Sequence, residues 1–319
     1  MKISINNIER ISKLLKDLIR KTPTDDFTDP RYYPPKGADK SVLASYFIVL
    51  VAMDHRLSRP GRPYEARING KLYHGADLLY RLGMRMLEEE PDFFDAQRLA
   101  SMSKEDVERW LSPKEFNVPK PVDLELRMKL LRDLGEKICR LYDCEPYNII
   151  LRSRGRLRDT GSGFIERMKV FTAYQDPVEK KAFLLAKFLE RRRVLDIVDP
   201  WNKEVPVDNH VTRLALRWRI VELDDALLEK IAGGVEFSFE EDVLLRYTVR
   251  IAFKLVSQKS GIDPFLLDDF LWSFGRKICK RELPQCKSRG KCPLSYVCES
   301  YTNPLFMVPE HHYYNTWFY

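Results

Sequence analysis

Four cysteines near the end of the 319-residue chain have the types and spacing that most clearly predict chemistry. They are Cys279, Cys286, Cys292 and Cys298, separated by six, five and five residues. Thiolates gathered in one short loop are the usual ligands of iron–sulfur clusters and zinc. Structural zinc sites draw thiolates from pairs about two to four residues apart, and this loop contains no such pair. The spacing therefore predicts an iron–sulfur cluster, with zinc or unligated thiols as alternatives.

A second candidate for chemistry is Asp208, which lies where a helix is predicted to begin. The helix has an apolar face of Val211, Leu214, Ala215 and Trp218. A carboxylate at this N-cap accepts backbone N–H groups and stays ionised, so its simplest role is to cap the helix. An ionised aspartate can also stabilise the oxocarbenium-like sugar formed when an N-glycosidic bond breaks, or activate the attacking water.

The two segments together resemble the endonuclease III branch of the helix-hairpin-helix DNA glycosylases. The resemblance rests on the cysteine loop at 270–300 with its aromatic lead-in at 270–276, and on the V-D-x-H-V-x-R string at 207–213. It implies a [4Fe–4S] cluster, a DNA substrate with a damaged or modified base, and Asp208 as the catalytic carboxylate. The middle cysteine spacing is longer here than in that family.

The glycine-rich hairpin that the family carries shortly before its aspartate is missing from residues 191–200. The lysine of the family's strand-cleaving members is missing with it, so we expect a monofunctional hydrolase. If a lyase nucleophile exists, Lys181 and Lys187 on the preceding predicted helix are the first candidates. Solvated surface positions are the ordinary alternative for these lysines.

A weaker resemblance links residues 69–75, 79–90, 101–111 and 179–182 to the queuosine salvage glycosidases. Those enzymes are helical hydrolases of nucleosides or nucleotides, and the comparison again makes Asp208 the catalytic residue. The alternatives to a DNA glycosylase are therefore a salvage hydrolase and a non-catalytic nucleic-acid-binding iron–sulfur protein.

Basic residues are concentrated where a polyanion could bind. The formal net charge is +7, and residues 276–291 contain seven basic residues against the single acid Glu282. Arginine clusters at 152–158 and 191–193 add to them, and together they predict phosphate contacts. The residues that we assign to substrate or DNA binding are Trp201, as a stacking surface for the base, with His210, Arg213, Arg276, Lys277, Lys287 and Arg289.

Cys139 and Cys144, in a helical stretch, are interpreted as half-buried thiols. Six cysteines are too few for a disulfide-rich scaffold and no apolar signal segment opens the sequence, so we expect a reducing, cytoplasmic environment. The longest apolar run, residues 42–53, is far shorter than a bilayer span and predicts a buried helix without a membrane partner. We expect a monomer.

Helical periodicity dominates the chain and predicts a mostly α, two-lobed, DNA-glycosylase-like fold. Asn69-Gly70 predicts one small β-hairpin within 64–74. Ser103, Ser238 and Asp263 are predicted helix caps. The lobes are expected to be residues 36–205, and 1–35 with 206–319, with the substrate cleft between them and Asp208 at its wall. The aromatic tail from residue 301 should dock on the body, with His311 and His312 on the surface.

Overall fold

The computed structural model describes residues 1–20, 24–288 and 292–319. Helices take up 54% of the chain and strands 5%, which confirms the mostly α class. In chain order the elements are β1 (Lys2–Ile3), α1 (Ile5–Ile19), α2 (Lys40–Met53), β2 (Glu65–Ile68), β3 (Lys71–His74), α3 (Ala76–Glu89), α4 (Ala96–Ala100), α5 (Lys104–Leu111), α6 (Leu124–Tyr142), α7 (Tyr147–Ser153), α8 (Phe164–Met168), α9 (Lys180–Arg191), α10 (Asn209–Arg217), β4 (Val221–Glu222), α11 (Asp225–Ala232), α12 (Phe239–Ser260), α13 (Pro264–Lys277) and α14 (Glu299–Thr302).

The chain forms two compact units, each built from two stretches of sequence. Unit 1 comprises Met1–Thr24 and Lys203–Asn315, and unit 2 comprises Asp25–Asn202 and Thr316–Tyr319. The segment before α2 belongs to unit 2 because its aromatic side chains pack there. Phe27, for example, meets Phe188 of α9 with ring centroids 4.4 Å apart.

Helix α2 is the centre of unit 2. Its eleven residues from Leu43 to Met53 are all buried, because the sequence is apolar on every side of the helix. It packs against α9, α3, α6 and α7. Asp39 caps its first turn by accepting a hydrogen bond from Ser41 N at 2.7 Å. The prediction of a buried helix at this position is therefore confirmed.

The predicted hairpin is present in unit 2, where β2 pairs antiparallel with β3. Asn69 and Gly70 have φ angles of 51° and 78°. A two-residue type I′ turn requires positive φ at both central positions, and Asn-Gly accepts this conformation most readily. The turn residues thus fix the register that pairs Ile68 with Lys71.

In unit 1, α1 packs on α12, while α10 contacts both α12 and α13. Buried residues of α1 include Ile8, Ile11 and Leu15, the apolar face that periodicity predicts.

The helix caps in both units agree with the predictions from the sequence. Ser103 and Ser238 both form complete capping boxes, and Asp263 precedes a proline at the start of α13.

The aromatic tail docks as predicted, but the surface position predicted for His311 is wrong. Val308, Phe318 and Tyr319 are buried, and so is His311. Its Nε2 lies 2.9 Å from Asp242 Oδ1, and Asp242 also accepts from Arg246 Nε at 3.0 Å. A histidine can be buried when a carboxylate supplies its hydrogen-bond partner.

The interpretation of Cys139 and Cys144 as thiols is also wrong, because their sulfurs are bonded to each other. Asp143 and Cys144 have φ angles of 60° and 57°. Two consecutive left-handed residues reverse the chain after α6, which returns Cys144 to the last turn of that helix.

Within the described residues, no helix combines the length and apolar character needed to cross a membrane.

Candidate functional site

All four cysteines of the C-terminal loop line one cavity in unit 1. Cys279 directly follows α13, and Cys298 caps α14. The rest of the cavity wall comes from α10, α13 and the loop, with Arg217, Trp218, Phe274, Ile278, Pro284, Ser295, Tyr301 and Met307. Because the four sulfurs share one enclosed space, they form a donor set of the type that metals bind as thiolates.

The surroundings of these sulfurs disfavour the ionised thiolate form unless a positive charge lies nearby. Burial raises the pKa of the Cys292 thiol to about 11 and that of Cys298 to about 12. It also raises the pKa of Cys286. The charge of Cys279 acts in the same direction on all three thiols, so the groups are near enough to repel one another when ionised. A bound cation would relieve this repulsion.

Arg217 anchors the beginning of the loop. Its Nη1 donates to the Cys279 sulfur at 3.4 Å and to Lys280 O at 2.8 Å, and its Nη2 donates to Arg281 O at 2.7 Å. Its Nε donates to Val308 O at 2.8 Å. Backbone groups of Leu294 and Ser295 lower the pKa of Cys292, and those of Ser300 and Tyr301 lower the pKa of Cys298, against the effect of burial. N–H donors aimed at thiolate sulfur are the outer hydrogen bonds that iron–sulfur sites use.

The donor chemistry of the four cysteines therefore fits a metal centre. In the ranges 1–20, 24–288 and 292–319, no three His, Cys, Asp or Glu side chains are arranged as metal ligands. Residues 289–291, between the second and third cysteines, lie outside the described residues, and with them the predicted DNA contact Arg289.

Asp208 occupies the N-cap of α10, as the sequence predicts. One carboxylate oxygen accepts a hydrogen bond from Val211 N at 2.8 Å, and the residue is partly exposed. Its second oxygen has no hydrogen-bond partner among the described residues. One oxygen is thus held by the helix start, and the other is not engaged by the described residues.

His210 lies beside Asp208, and its ring packs against α13. The ring touches Gly275, where a Cβ would overlap the imidazole. Burial lowers the pKa of His210, and the charge of Arg213 lowers it further, while the charge of Asp208 opposes both effects. Its Nδ1 accepts from Arg213 Nη2 at 3.3 Å, whereas its buried Nε2 has no partner in the described part of the chain. The charge of Arg276 also acts on this imidazole.

Arg213 is held inside unit 1, which contradicts its predicted role in DNA binding. It is 2% exposed, forms an ion pair with Glu310 and donates to the carbonyls of Gly275 and Cys279, each at 3.1 Å. A buried guanidinium needs several acceptors, and the end of α13 supplies them. Arg213 therefore links the helix of Asp208 to the first cysteine.

Replacing Gly275 by alanine should destabilise unit 1 by about 1–3 kcal/mol, because the added methyl group would displace the His210 ring. Urea unfolding of the purified variant measures the change. Gly37→Ala is the matched control, since a Cβ at Gly37 meets no atom within 4 Å. Equal stability of the two variants would contradict the close packing of His210 on α13.

The lysines proposed as lyase nucleophiles are buried in unit 2, so the solvated alternative is wrong for both. Lys181 is 1% exposed, and its Nζ donates to Ala52 O at 2.5 Å. Lys187 is 5% exposed, with its Nζ 5.6 Å from the ring centroid of Phe27. Neither amine is accessible to a sugar carbon, which leaves the structure without support for a lyase role.

Lys181 is part of a buried chain of groups. Its Nζ contacts His55 Nδ1 at 3.2 Å, His55 Nε2 lies 3.2 Å from Asp123, and Asp123 accepts from Arg127 Nε at 2.8 Å. Burial lowers the pKa of both Lys181 and His55 well below their usual values, and the charge of Arg127 adds to the effect. Burial alone would raise the pKa of Asp123. The hydrogen bond from His55 and the charge of Arg127 outweigh this effect, so the pKa of Asp123 is lowered.

We expect His55 to make unit 2 sensitive to acid. A neutral buried histidine stabilises the folded state above its unfolded pKa, near 6.5, and this contribution is lost as the pH falls, because only the unfolded chain gains the proton. Between about pH 5 and pH 7 the loss should approach about 1.4 kcal/mol per pH unit. Urea unfolding at several pH values in this range gives the free energy of unfolding as a function of pH. This free energy should change less with pH in His55→Gln than in the unaltered protein, and equally in His74→Gln, an exposed position on β3. Equal slopes in all three proteins would exclude the buried neutral state.

The remaining predicted contacts lie on the surfaces of separate units. In unit 1, Lys277 and Lys287 are exposed, and the Arg276 guanidinium lies 4.3 Å from the Trp272 ring centroid. In unit 2, Trp201 is 70% exposed.

The two arginine clusters are partly structural. Arg158 forms ion pairs with Glu166 and Glu179, and Arg192 donates to the carbonyls of Phe27 and Pro35 at 2.7 Å each. These two side chains therefore hold unit 2 together, and the prediction that both whole clusters contact phosphates is wrong for them.

Sequence reasoning missed Arg217. This residue follows Arg213 by one helical turn on the buried side of α10, and two arginines on an otherwise apolar face were the available signal. Sequence reasoning considered His55 only as a candidate for the pocket that holds the base, because its partners Asp123 and Lys181 are distant in sequence.

Comparison with known proteins adds no family assignment, because no family model matches the chain and no curated protein is detectably similar to it in sequence. The functional conclusion therefore rests on the site itself.

Proposed function

We propose that this protein hydrolyses an N-glycosidic bond, and that its substrate is a damaged or modified base in DNA. The proposal rests on the way in which the Asp208 carboxylate is held at the start of α10. Its carboxylate is fixed through one oxygen by Val211 N, while the other oxygen is unbonded among the described residues and the residue is partly exposed. A helix cap uses only one carboxylate oxygen, so the second oxygen of Asp208 remains available to a substrate.

The chemistry follows from charge. As the base departs, the sugar develops positive charge, and a fixed carboxylate nearby stabilises that charge more than it stabilises the neutral substrate. The same oxygen can instead accept a proton from the attacking water. Since Asp208 is already oriented by the start of α10, little reorganisation opposes either role.

His210 supports this role from the neighbouring position. Burial lowers its pKa, so the imidazole is neutral at neutral pH and leaves the charge of Asp208 uncompensated. With Nδ1 accepting from Arg213, the proton resides on Nε2, which has no partner in the described residues. This N–H is buried against Gly275, so His210 supports Asp208 through its neutrality and its packing and not through direct contact with the substrate.

The proposal includes a polyanionic substrate because unit 1 presents basic side chains. Lys277, Lys280, Arg281 and Lys287 are exposed around the cysteine loop. Such residues position a nucleic acid through its phosphates without reading its sequence. Exposed Tyr296 within the same loop adds an aromatic surface.

A [4Fe–4S] cluster would be held by Cys279, Cys286, Cys292 and Cys298. When bound, it would supply covalent cross-links that fix the shape of the basic loop. Arg217 and Arg213 then connect that loop to α10, the helix that carries Asp208.

The test is to incubate the purified protein with a panel of lesion-bearing duplexes and with the matching free nucleosides and nucleotides, and to identify released base by chromatography. Release from one duplex lesion, with salt-sensitive duplex binding, is the expected result. Turnover of free nucleosides alone would replace DNA by a salvage substrate. Duplex binding without release of any base would contradict the enzymatic proposal and leave a binding protein.

A further inference from the structure

Unit 2 contains a surface cavity of about 160 Å³ that the proposed reaction does not use. It lies where the first turn of α2, the end of α3, the start of α4 and the turn between α6 and α7 meet. Its apolar wall includes Leu87, Phe94 and Pro146, and its polar wall includes Ser45, Asp95 and Glu145. A cavity that combines an apolar body with a few polar groups has the composition of a small-molecule site.

The carboxylates of this cavity lack a cationic partner. Within the described residues, neither Asp95 nor Glu145 forms an ion pair with a lysine or arginine, and the same is true of neighbouring Asp92. Burial raises the pKa of Asp95, and the charges of Asp92 and Glu145 raise it further. Asp95 stands at the N-cap of α4 but makes no capping hydrogen bond, so its carboxylate is not used by the helix. In a protein of net charge +7 this is a local excess of negative charge.

A second observation comes from Ser45. The residue is 8% exposed and its side chain lines the cavity, yet its hydroxyl has no hydrogen-bond partner among the described residues. Serine within a helix commonly donates to the carbonyl four residues earlier, and Ser45 does not. Since Ser45 lines the cavity and its hydroxyl is not engaged by another described residue, this hydroxyl is available to an occupant of the cavity.

The residues that line the cavity favour an organic cation over a metal ion. In the described ranges, no three acidic, histidine or cysteine side chains form a metal-ligand arrangement, and this cavity is no exception. Val42, Leu87 and Pro91 instead offer an apolar surface, which a bare or hydrated metal ion would not use. The occupant should therefore carry one positive charge on an apolar body.

We propose that this cavity binds a small organic ammonium ion, with its charged group between Asp95 and Glu145, a hydrogen bond to Ser45 Oγ, and its apolar part against Val42 and Leu87. Three N–H donors of a primary ammonium match the two carboxylates and the hydroxyl. The volume is close to that of a cavity of about 150 Å³ known to accept benzene, so a benzyl group is of suitable size.

Benzylamine is the probe that we would use, with benzyl alcohol and benzoate as neutral and anionic analogues of similar shape. Titration of the ¹⁵N-labelled full-length protein, followed by NMR, should show saturable shifts at residues 41–45, 94–97 and 144–146 with benzylamine. Benzyl alcohol should bind at least about tenfold more weakly, which corresponds to about 1.4 kcal/mol. Equal affinity for benzylamine and benzyl alcohol would overturn the proposal, since it would reveal an apolar cavity alone.

Asp95→Asn and Glu145→Gln should each weaken benzylamine binding by about tenfold, and Ser45→Ala by a smaller factor. Glu136→Gln is the matched control, because it removes one exposed carboxylate of the same unit away from the cavity and should leave affinity unchanged. A loss of affinity in the control equal to that in the cavity variants would overturn the proposal.

The proposal is independent of the glycosidase reaction. Asp208→Asn should bind benzylamine as the unaltered protein does, so failure of one proposal leaves the other intact.

Discussion

Replacing Asp208 by asparagine should lower the rate of base release by about 10²- to 10³-fold, the effect typical of removing one group that stabilises charge in the transition state. Asparagine is as good an N-cap as aspartate, so the hydrogen bond from Val211 N and the stability of α10 should persist. The change therefore removes charge without removing the fold. Single-turnover release of the base from the best duplex substrate measures the effect.

Asp224→Asn is the matched control for this experiment. Asp224 caps α11 in the same unit and accepts a hydrogen bond from Leu227 N at 3.1 Å, which repeats the geometry of Asp208. Asp224 is more exposed than Asp208 and also pairs with the N-terminal ammonium group at 3.8 Å, but it starts a different helix, so its substitution should leave the rate unchanged. If both variants retain full activity, Asp208 is a cap alone; if both lose activity equally, the loss reflects the helix starts and not catalysis.

Replacing Cys286 by serine should abolish metal binding and lower the melting temperature of unit 1 by about 10 °C or more, since structural metal sites contribute several kcal/mol to folding. Cys286 is partly exposed, so serine itself disturbs little packing. Metal analysis and visible absorbance of the purified protein provide the measurement. Iron and sulfide in the unaltered protein, and neither in the variant, are the expected results.

Cys144→Ser serves as the control for the metal experiment. It also exchanges one sulfur for oxygen, but Cys144 is bonded to Cys139 in unit 2 and does not line the four-cysteine cavity. Its metal content should equal that of the unaltered protein. A colourless protein with one bound zinc would replace the cluster by zinc, and a protein free of both metals would contradict the metal centre.

Local signals in the sequence predicted the secondary structure well. The Asn69-Gly70 turn, the Ser238 capping box and the Asp208 cap each depend on residues within a few positions of one another. The same is true of the apolar run of α2. These features require no knowledge of distant contacts, which is why a single sequence contains them.

The failures involve polar side chains whose partners are distant in sequence. Lys181 and the carbonyl of Ala52 are 129 residues apart, and Arg213 and Glu310 are 97 apart. Charged residues are ordinarily exposed, so a sequence alone places both side chains in solvent. Only the folded chain supplies the carbonyls and the carboxylate that allow burial, and this is also why Arg213 changed from a predicted DNA contact to an internal link.

The uniform burial of α2 has a consequence for measuring the motions of unit 2. The amides from Tyr46 to Leu50 in this helix belong to fully buried residues, so no local fraying can bring them to water. Their deuterium uptake should proceed only when the whole unit opens. The exchange rate of the slowest amide protons in this helix therefore measures cooperative opening of unit 2. The faster exchange rates of loop amides can be compared with it.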